Sequence, residues 1–259
     1  MILKDKVVLV TGSGAGIGKA ITLAMAEAGA QIVSADIDGD AARKCAEEAA
    51  EFQTKTLALQ TDVGNVDEID AMVETAVGEF GRLDVIVNNA GVTRRAYVMD
   101  LTEEDWDRIH RVNAKGVFFC LQRAARTMIE QGSGRIINLA SIAGRGYVGT
   151  SNAAYAASKG AVIALTKTAA QQLGPHNINV NAICPGVTRT PLSDRNLEVR
   201  AQEQGVSIEE ALENHLKPIP IGRANLPEDI AAMAVFLASP GARNITGQAY
   251  NVDGGLIPS

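Results

Sequence analysis

Cysteine is nearly missing from this chain. Cys45, Cys120 and Cys184 are odd in number, scattered, and form no Cys-x-x-Cys pair, which argues against both a disulfide framework and a zinc site. Positive charge is also short: 24 Lys and Arg face 30 Asp and Glu, for a net charge of −6 and a pI near 5.2. There is therefore no basic footprint for nucleic acid. No apolar run approaches the roughly 18 residues of a membrane span, and Met1 leads straight into a β-rich segment with no signal-peptide pattern. A soluble, cytoplasmic protein is expected. His110, His176 and His215 lack metal-ligand spacing, so no metal is expected. Linkers, repeats and low-complexity tracts are absent as well, and residues 1–259 are expected to form a single domain.

Hydrophobic residues make up 46% of the chain and aromatics only 4%, a balance that fits buried parallel strands under closely packed helices. β-rich runs at 6–11, 31–36, 56–61, 85–88, 135–140, 179–183 and 249–252 alternate with helical patterns at 16–28, 40–51, 66–80, 103–130, 152–173 and 227–237. The first helical pattern puts Ile17, Ile21, Ala24, Met25 and Ala28 on one face, with Gly29 as its stop. Thr102-Glu103-Glu104-Asp105 reads as a capping box opening the fourth. Such alternation predicts an α/β fold, a Rossmann-like doubly wound parallel sheet with helices on both faces. Residues 190–221 break the rhythm with a polar, helix-like insertion, either a substrate lid or a subunit contact.

The first strand ends in Thr11-Gly12-Ser13-Gly14-Ala15-Gly16-Ile17-Gly18 and runs into an Ala-rich helix. Glycines allow the tight turn and bring backbone N–H groups to a pyrophosphate at the helix N-terminus. The spacing is Gly-x-x-x-Gly-x-Gly rather than Gly-x-Gly-x-x-Gly, and a tight turn with no ligand is the competing reading. Asp36 closes the second strand, eighteen residues after Gly18, where a carboxylate accepts hydrogen bonds from an adenosine ribose. A 2′-phosphate would meet like charge there, and neither Ala15 nor Ile37 supplies a cation. The expected cofactor is NAD rather than NADP.

Tyr155 and Lys159 lie four residues apart within a helical pattern, about 6 Å along one face. An ammonium beside a phenol favours phenolate and brings a group with a reference pKa of about 10 nearer to working pH. Ser141, fourteen residues before the tyrosine, ends an apolar run. A hydroxyl and a phenol converging on one oxygen stabilise developing alkoxide charge and exchange its proton. Each also has a structural reading: Ser141 as a strand-end cap, Lys159 as a solvated cation.

Thr11–Gly18, Asn88-Asn89-Ala90-Gly91, Ser141 and Tyr155–Lys159, in this order, make the chain resemble a short-chain dehydrogenase/reductase of the compact branch, over residues 5–256. The resemblance implies that Gly12, Ser13, Gly16, Ile17, Gly18 and Asp36 hold the cofactor, with adenine contacts from Asp62 and Val63. Asn89, Ala90 and Gly91 support it after the fourth strand. It implies Asn113 as the residue holding a water that extends a proton relay, Ser141 as substrate orienter and Tyr155 as proton exchanger. Lys159 would contact the nicotinamide ribose and lower the tyrosine pKa. Pro185, Gly186 and Thr188 would flank the nicotinamide carboxamide, and Thr190 would reach the carboxamide or the pyrophosphate.

Substrate recognition is expected from the loops after Gly91, Ser141 and Gly186 and from the lid, which carry Arg94, Arg95, Arg145, Tyr147, Leu192 and His215. Arginine suits carboxylate, sulfonate or phosphate, and exposed loop arginines are the competing reading. A small polar substrate (polyol, sugar or hydroxy acid) oxidised with NAD is the first expectation. A 3-oxoacyl-thioester reductase is the alternative; many such family members use NADPH with a basic residue near Ala15. A nucleotide-sensing or scaffold protein is the non-enzymatic one, since fold alone does not establish function. The family likeness also implies a homotetramer, to which small residues such as Ala114, Gly116, Ala157 and Gly160 would contribute close helix contacts.

Overall fold

Every strand of the sheet is parallel to its neighbours, because each is separated from the next by a helix that carries the chain back across a face. The computed structural model describes residues 1–258, without the side chains of Leu192 and Arg195. Its sheet has the order β3-β2-β1-β4-β5-β6-β7. The strands are β1 (Val7–Thr11), β2 (Gln31–Asp36), β3 (Thr56–Gln60), β4 (Val85–Asn88), β5 (Gly134–Leu139), β6 (Ile178–Pro185) and β7 (Ala249–Val252). The helices are α1 (Gly16–Glu27), α2 (Gly39–Ala50), α3 (Val66–Phe80), α4 (Glu103–His110), α5 (Val117–Gln131), α6 (Ala153–Leu173), α7 (Pro191–Gln204), α8 (Ile208–Leu216) and α9 (Pro227–Ala238).

Strand alternation divides the core into two layers. Val7 and Leu9 of β1 pack with Ile86, Ile136, Ile69 and Met128 under α3 and α5, whereas Val8 and Val10 pack with Ile21, Met25, Ile230 and Leu237 under α1 and α9. Period-two side chains on a sheet covered on both faces make both sets apolar, which is why β1 reads as an unbroken run. Leu9 and Ile86 are fully buried; truncating either to Ala is expected to cost about 2–5 kcal/mol.

Local chemistry sets the helix ends. Asp38 caps α2 by accepting from Asp40 N and Ala41 N, and Thr102 with Asp105 forms the anticipated capping box of α4. Gly29, with φ of +97°, stops α1 as read from sequence. The expected helix over 103–130 is corrected: it is interrupted at Arg111–Gly116 by a π-helical turn, the kind of widening that occurs where a side chain must be re-aimed. Asn113 sits in it. Gly116 is small for a reason internal to the chain, since a Cβ there would lie 2.6 Å from the Val63 carbonyl oxygen. The 190–221 insertion is the helix pair α7 and α8, in which Ala201 and Ala211 are buried. Among the described residues no helix is long and apolar enough to cross a membrane.

Candidate active site

The chain order reverses between β1 and β4, and in a parallel sheet that leaves a crevice beyond the carboxyl ends of these strands. A cavity of about 600 Å³ opens there, with α7 and α8 forming part of its wall.

One end is built by the glycine turn. Gly12 has φ of +64°, and a Cβ on it would lie 2.8 Å from Ala90 Cα; a Cβ on Gly18 would lie 2.0 Å from the Gly12 carbonyl oxygen. No other residue fits either position without moving backbone. Asn89 fastens the turn by donating from Nδ2 to the carbonyls of Thr11 (3.0 Å) and Gly12 (2.9 Å). Gly12, Gly16, Ile17, Gly18, Ala90 and Gly91 line the cavity. Ser13 does not: its hydroxyl lies 2.8 Å from that of Ser34 and donates to Ala35 O, so it anchors the turn from behind. Asp36 accepts from Gly14 N at 2.8 Å and Asp38 N at 3.0 Å, which aims its carboxylate at the cavity rim. Among the described residues no cation pairs with it. Asp62 and Val63 line the same end; Asp62 accepts from Gly64 N and from Arg111 Nη1. A backbone cradle with no room for a Cβ, at the N-terminus of α1, fits an adenosine dinucleotide.

Ser141, Tyr155 and Lys159 meet at the other end, with Pro185, Gly186, Thr188 and Thr190 opposite. Ser141 Oγ accepts from Ala143 N at 3.1 Å, so the residue is a turn cap and a cavity-lining hydroxyl at once. Tyr155 is fixed through its backbone: Asn152, the cap of α6, accepts from Tyr155 N at 2.7 Å. Asn152 also donates to Arg94 O at 2.6 Å and Thr93 Oγ1 at 3.2 Å, tying the loop after β4 to the start of α6. Lys159 is 3% exposed and donates to Leu139 O at 2.6 Å, its Nζ 5.8 Å from the Tyr155 ring centre. Burial pulls its pKa down to about 8.

One expectation needs correction here. Burial holds the Tyr155 phenol above its ordinary pKa, and the opposing pull comes from the Ser141 hydroxyl rather than from Lys159. Asn113 is fully buried and commits its side chain to protein, accepting from Val92 N (2.8 Å) and donating to Val92 O (2.9 Å) and Ser158 Oγ (3.1 Å). The water-holding role expected of it would fall to its backbone. The side chain instead welds the π-turn to α6 and to the cavity wall at Val92.

Of the residues expected to touch substrate, Tyr147 lines the cavity. Arg94 does not: it clamps Asp105 through two nitrogens and donates to Asp100 O at 2.7 Å. Arg145 likewise turns away to the Ala249 carbonyl. The Leu192 side chain lies outside the described residues. The arginines that do reach the cavity are Arg95, Arg189 and Arg200, together with His215. Arg200 escaped sequence reading because its signal is helical: Ser193, Asn196, Leu197 and Arg200 share the inner face of α7 only once that helix is known to cover the cavity.

A family model described as "Enoyl-(Acyl carrier protein) reductase" matches residues 12–257. The 3-oxoacyl-[acyl-carrier-protein] reductase FabG of Thermotoga maritima is 41% identical over 258 residues, covering 99% of this chain and all of that protein. The chain belongs to the short-chain dehydrogenase/reductase family. A Synechocystis 3-oxoacyl-[acyl-carrier-protein] reductase is 39% identical over 98% of each chain. The NAD+-bound xylitol dehydrogenase structure superposes with a TM-score of 0.93 at 33% identity, covering 98% of this chain and 100% of that one. As a short-chain dehydrogenase/reductase the protein is an oxidoreductase of the compact Rossmann-fold type.

Proposed function

We propose that this protein interconverts a secondary alcohol and a ketone with NAD as hydride carrier. One observation carries the reading: Ser141, Tyr155 and Lys159 line one end of a cavity whose other end carries the glycine cradle and Asp36. Bound nicotinamide supplies or accepts the hydride. The chain's own residues handle the oxygen and its proton. Ser141 and Tyr155 donate to the substrate oxygen and stabilise the charge that develops on it. Tyr155 is the acid in reduction and the base in oxidation. A phenol held above its ordinary pKa by burial suits the acid role in reduction; in the oxidative direction the Ser141 hydroxyl lowers the cost of the phenolate.

On the substrate, the relatives favour the alternative over the first expectation. Proteins named as 3-oxoacyl-[acyl-carrier-protein] reductases match the full chain at 39–41% identity, so a 3-oxoacyl thioester ranks first. A small polar alcohol is second; its support is the polar lid and the likeness to xylitol dehydrogenase. A sensor has no chemical need for the serine–tyrosine pair. The test is a panel of 3-oxoacyl thioesters, polyols, sugars and hydroxy acids with NAD(H) and NADP(H). Substrate-dependent change in nicotinamide absorbance is expected, and Tyr155→Phe should reduce turnover at least about 100-fold while NADH still binds. Full turnover by that variant would remove the tyrosine from the mechanism.

A further inference from the structure

Two guanidinium groups and one carboxylate meet where the lid covers the reacting end. Arg95, from the loop after β4, reaches Glu203 of α7 through Nε at 2.9 Å; its terminal nitrogens have no partner among the described residues. Arg200, on the cavity face of α7, has no carboxylate partner among the described residues. Its one side-chain bond there is to His215 Nδ1, at 2.8 Å. That bond requires the imidazole to accept, and the histidine is suited to it: burial, then Arg200 and Arg95, push its pKa down to about 4. Arg200 is itself half-buried, and burial followed by the charge of Arg95 makes its cation costlier, with Tyr147 and Glu203 opposing. Thr150, on the same cavity, has a buried hydroxyl without a partner among the described residues. Asp194, the acidic residue of α7 that lines the cavity, is exposed and six residues before Arg200, about 9 Å along the helix axis. Among Arg95, Arg200 and Glu203 one positive charge is thus unmatched, and Arg189, exposed on the same cavity, has no carboxylate partner among the described residues either. A half-buried cation without a counter-ion is unfavourable unless an anion arrives to pair with it.

We propose that Arg200 and Arg95 form an anion subsite that binds a negatively charged group of the substrate, an inference that rests on the alcohol–ketone reading above. The neutral His215 holds the Arg200 fork in place, and Tyr147 stands beside it. The anion is either a carboxylate on the reacting molecule itself or a phosphate of a pantetheine-type carrier; both offer the oxygens that a guanidinium fork binds.

Two matched pairs test this: 3-hydroxybutyrate against its methyl ester, and 3-hydroxybutyryl-CoA against the uncharged N-acetylcysteamine thioester. Wild type is expected to prefer the charged member of one pair by about 10- to 100-fold in kcat/KM. Arg200→Gln should cancel that preference mainly through KM, with the uncharged member falling far less, and Arg200→Lys should restore part of it. A preference confined to the first pair identifies a substrate carboxylate; one confined to the second identifies a carrier phosphate. Equal use of charged and uncharged members in both pairs would overturn the subsite, as would Arg200→Gln lowering both members alike. If no member reacts, the alcohol–ketone reading fails for this panel. Calorimetry with acetoacetate and with coenzyme A then judges the subsite alone: binding of either that is lost in Arg200→Gln supports it, and no binding of both to wild type overturns it.

Discussion

Replacing Asp36 with Asn removes a charge with almost no change in shape. The amide oxygen can still accept from Gly14 N, now 2.8 Å from Oδ2, so the glycine turn keeps its tie to β2. In wild type a 2′-phosphate on the adenosine ribose would face a carboxylate that no cation neutralises among the described residues. At about 5 Å and an effective dielectric near 20, one pair of unit charges repels by roughly 3 kcal/mol. Each 1.4 kcal/mol is about a factor of ten, so this repulsion amounts to about two orders of magnitude against the phosphorylated nucleotide. The same substitution weakens the ribose hydrogen bonds, which with a charged acceptor are worth about 1.5–3 kcal/mol against about 1 for a neutral one. The NADH-to-NADPH affinity ratio should therefore fall by roughly 100- to 1000-fold in Asp36→Asn. Fluorescence titration of reduced nucleotide reads this without knowledge of the substrate. A ratio that stays within threefold of wild type, or wild-type protein that binds NADPH as tightly as NADH, would refute the argument.

Two further predictions follow from groups whose charge the fold opposes. Lys159 has a folded pKa of about 8 against 10.5 in the open chain. Between these values the unfolded chain binds the extra proton, so stability rises with pH across that window and about 3 kcal/mol is forgone at pH 7. Lys159→Met should lose this slope in urea unfolding between pH 8 and 10.5, although orphaning the Leu139 carbonyl offsets part of the gain at pH 7. Identical slopes in the two proteins would contradict the buried-cation account. His215 is the same problem on the acid side: its stabilising contribution is complete above pH 6.5 and is lost as pH falls toward 4. Below about pH 6, amide exchange in α7 and α8, corrected for its intrinsic pH dependence, should accelerate relative to the sheet, and His215→Gln should blunt the change. Unchanged protection of the lid down to pH 4.5 would rule this out.

The sheet was legible because strands buried on both faces must be apolar throughout, and Val7–Thr11 or Val85–Asn88 has no other reading. The glycine turn and Asp36 were legible for a different reason: each is a residue type forced by a backbone or a charge requirement within one short segment. The failures share a cause. Arg94 and Arg95 are adjacent, and nothing local distinguishes the one that clamps Asp105 from the one that lines the cavity. The capping box at Thr102 was visible, but not that its Asp105 would also hold Arg94. The π-turn at Arg111–Gly116 has no composition signal, and its residue Asn113 bonds to Val92 and Ser158, partners that only the fold brings near. Asn152 was missed similarly: as a cap it looks ordinary, and its hold on Thr93 and Arg94 is tertiary.

A comparison of buried charges separates what holds the fold from what serves the cavity. Asp84, 5% exposed, sits at the base of the sheet and is fully matched, by Val7 N at 3.0 Å, Lys6 at 2.9 Å and Arg82 at 2.6 and 2.7 Å. Burial works against its charge, yet these partners hold the carboxyl below its usual range. Arg135 and Arg145 each leave Nε unpartnered but spend another nitrogen on a carbonyl. The cavity groups differ. Among the described residues Lys159 has a single neutral carbonyl, Arg200 a single imidazole, and the Thr150 hydroxyl nothing. A chain able to match Asp84 on three sides had the means to give Lys159 or Arg200 a carboxylate. Doing so would have fixed their charge permanently and closed the cavity to anything negative. Leaving them short of partners costs stability in the empty protein, and that cost is recovered only when a bound molecule brings its own oxygens to them.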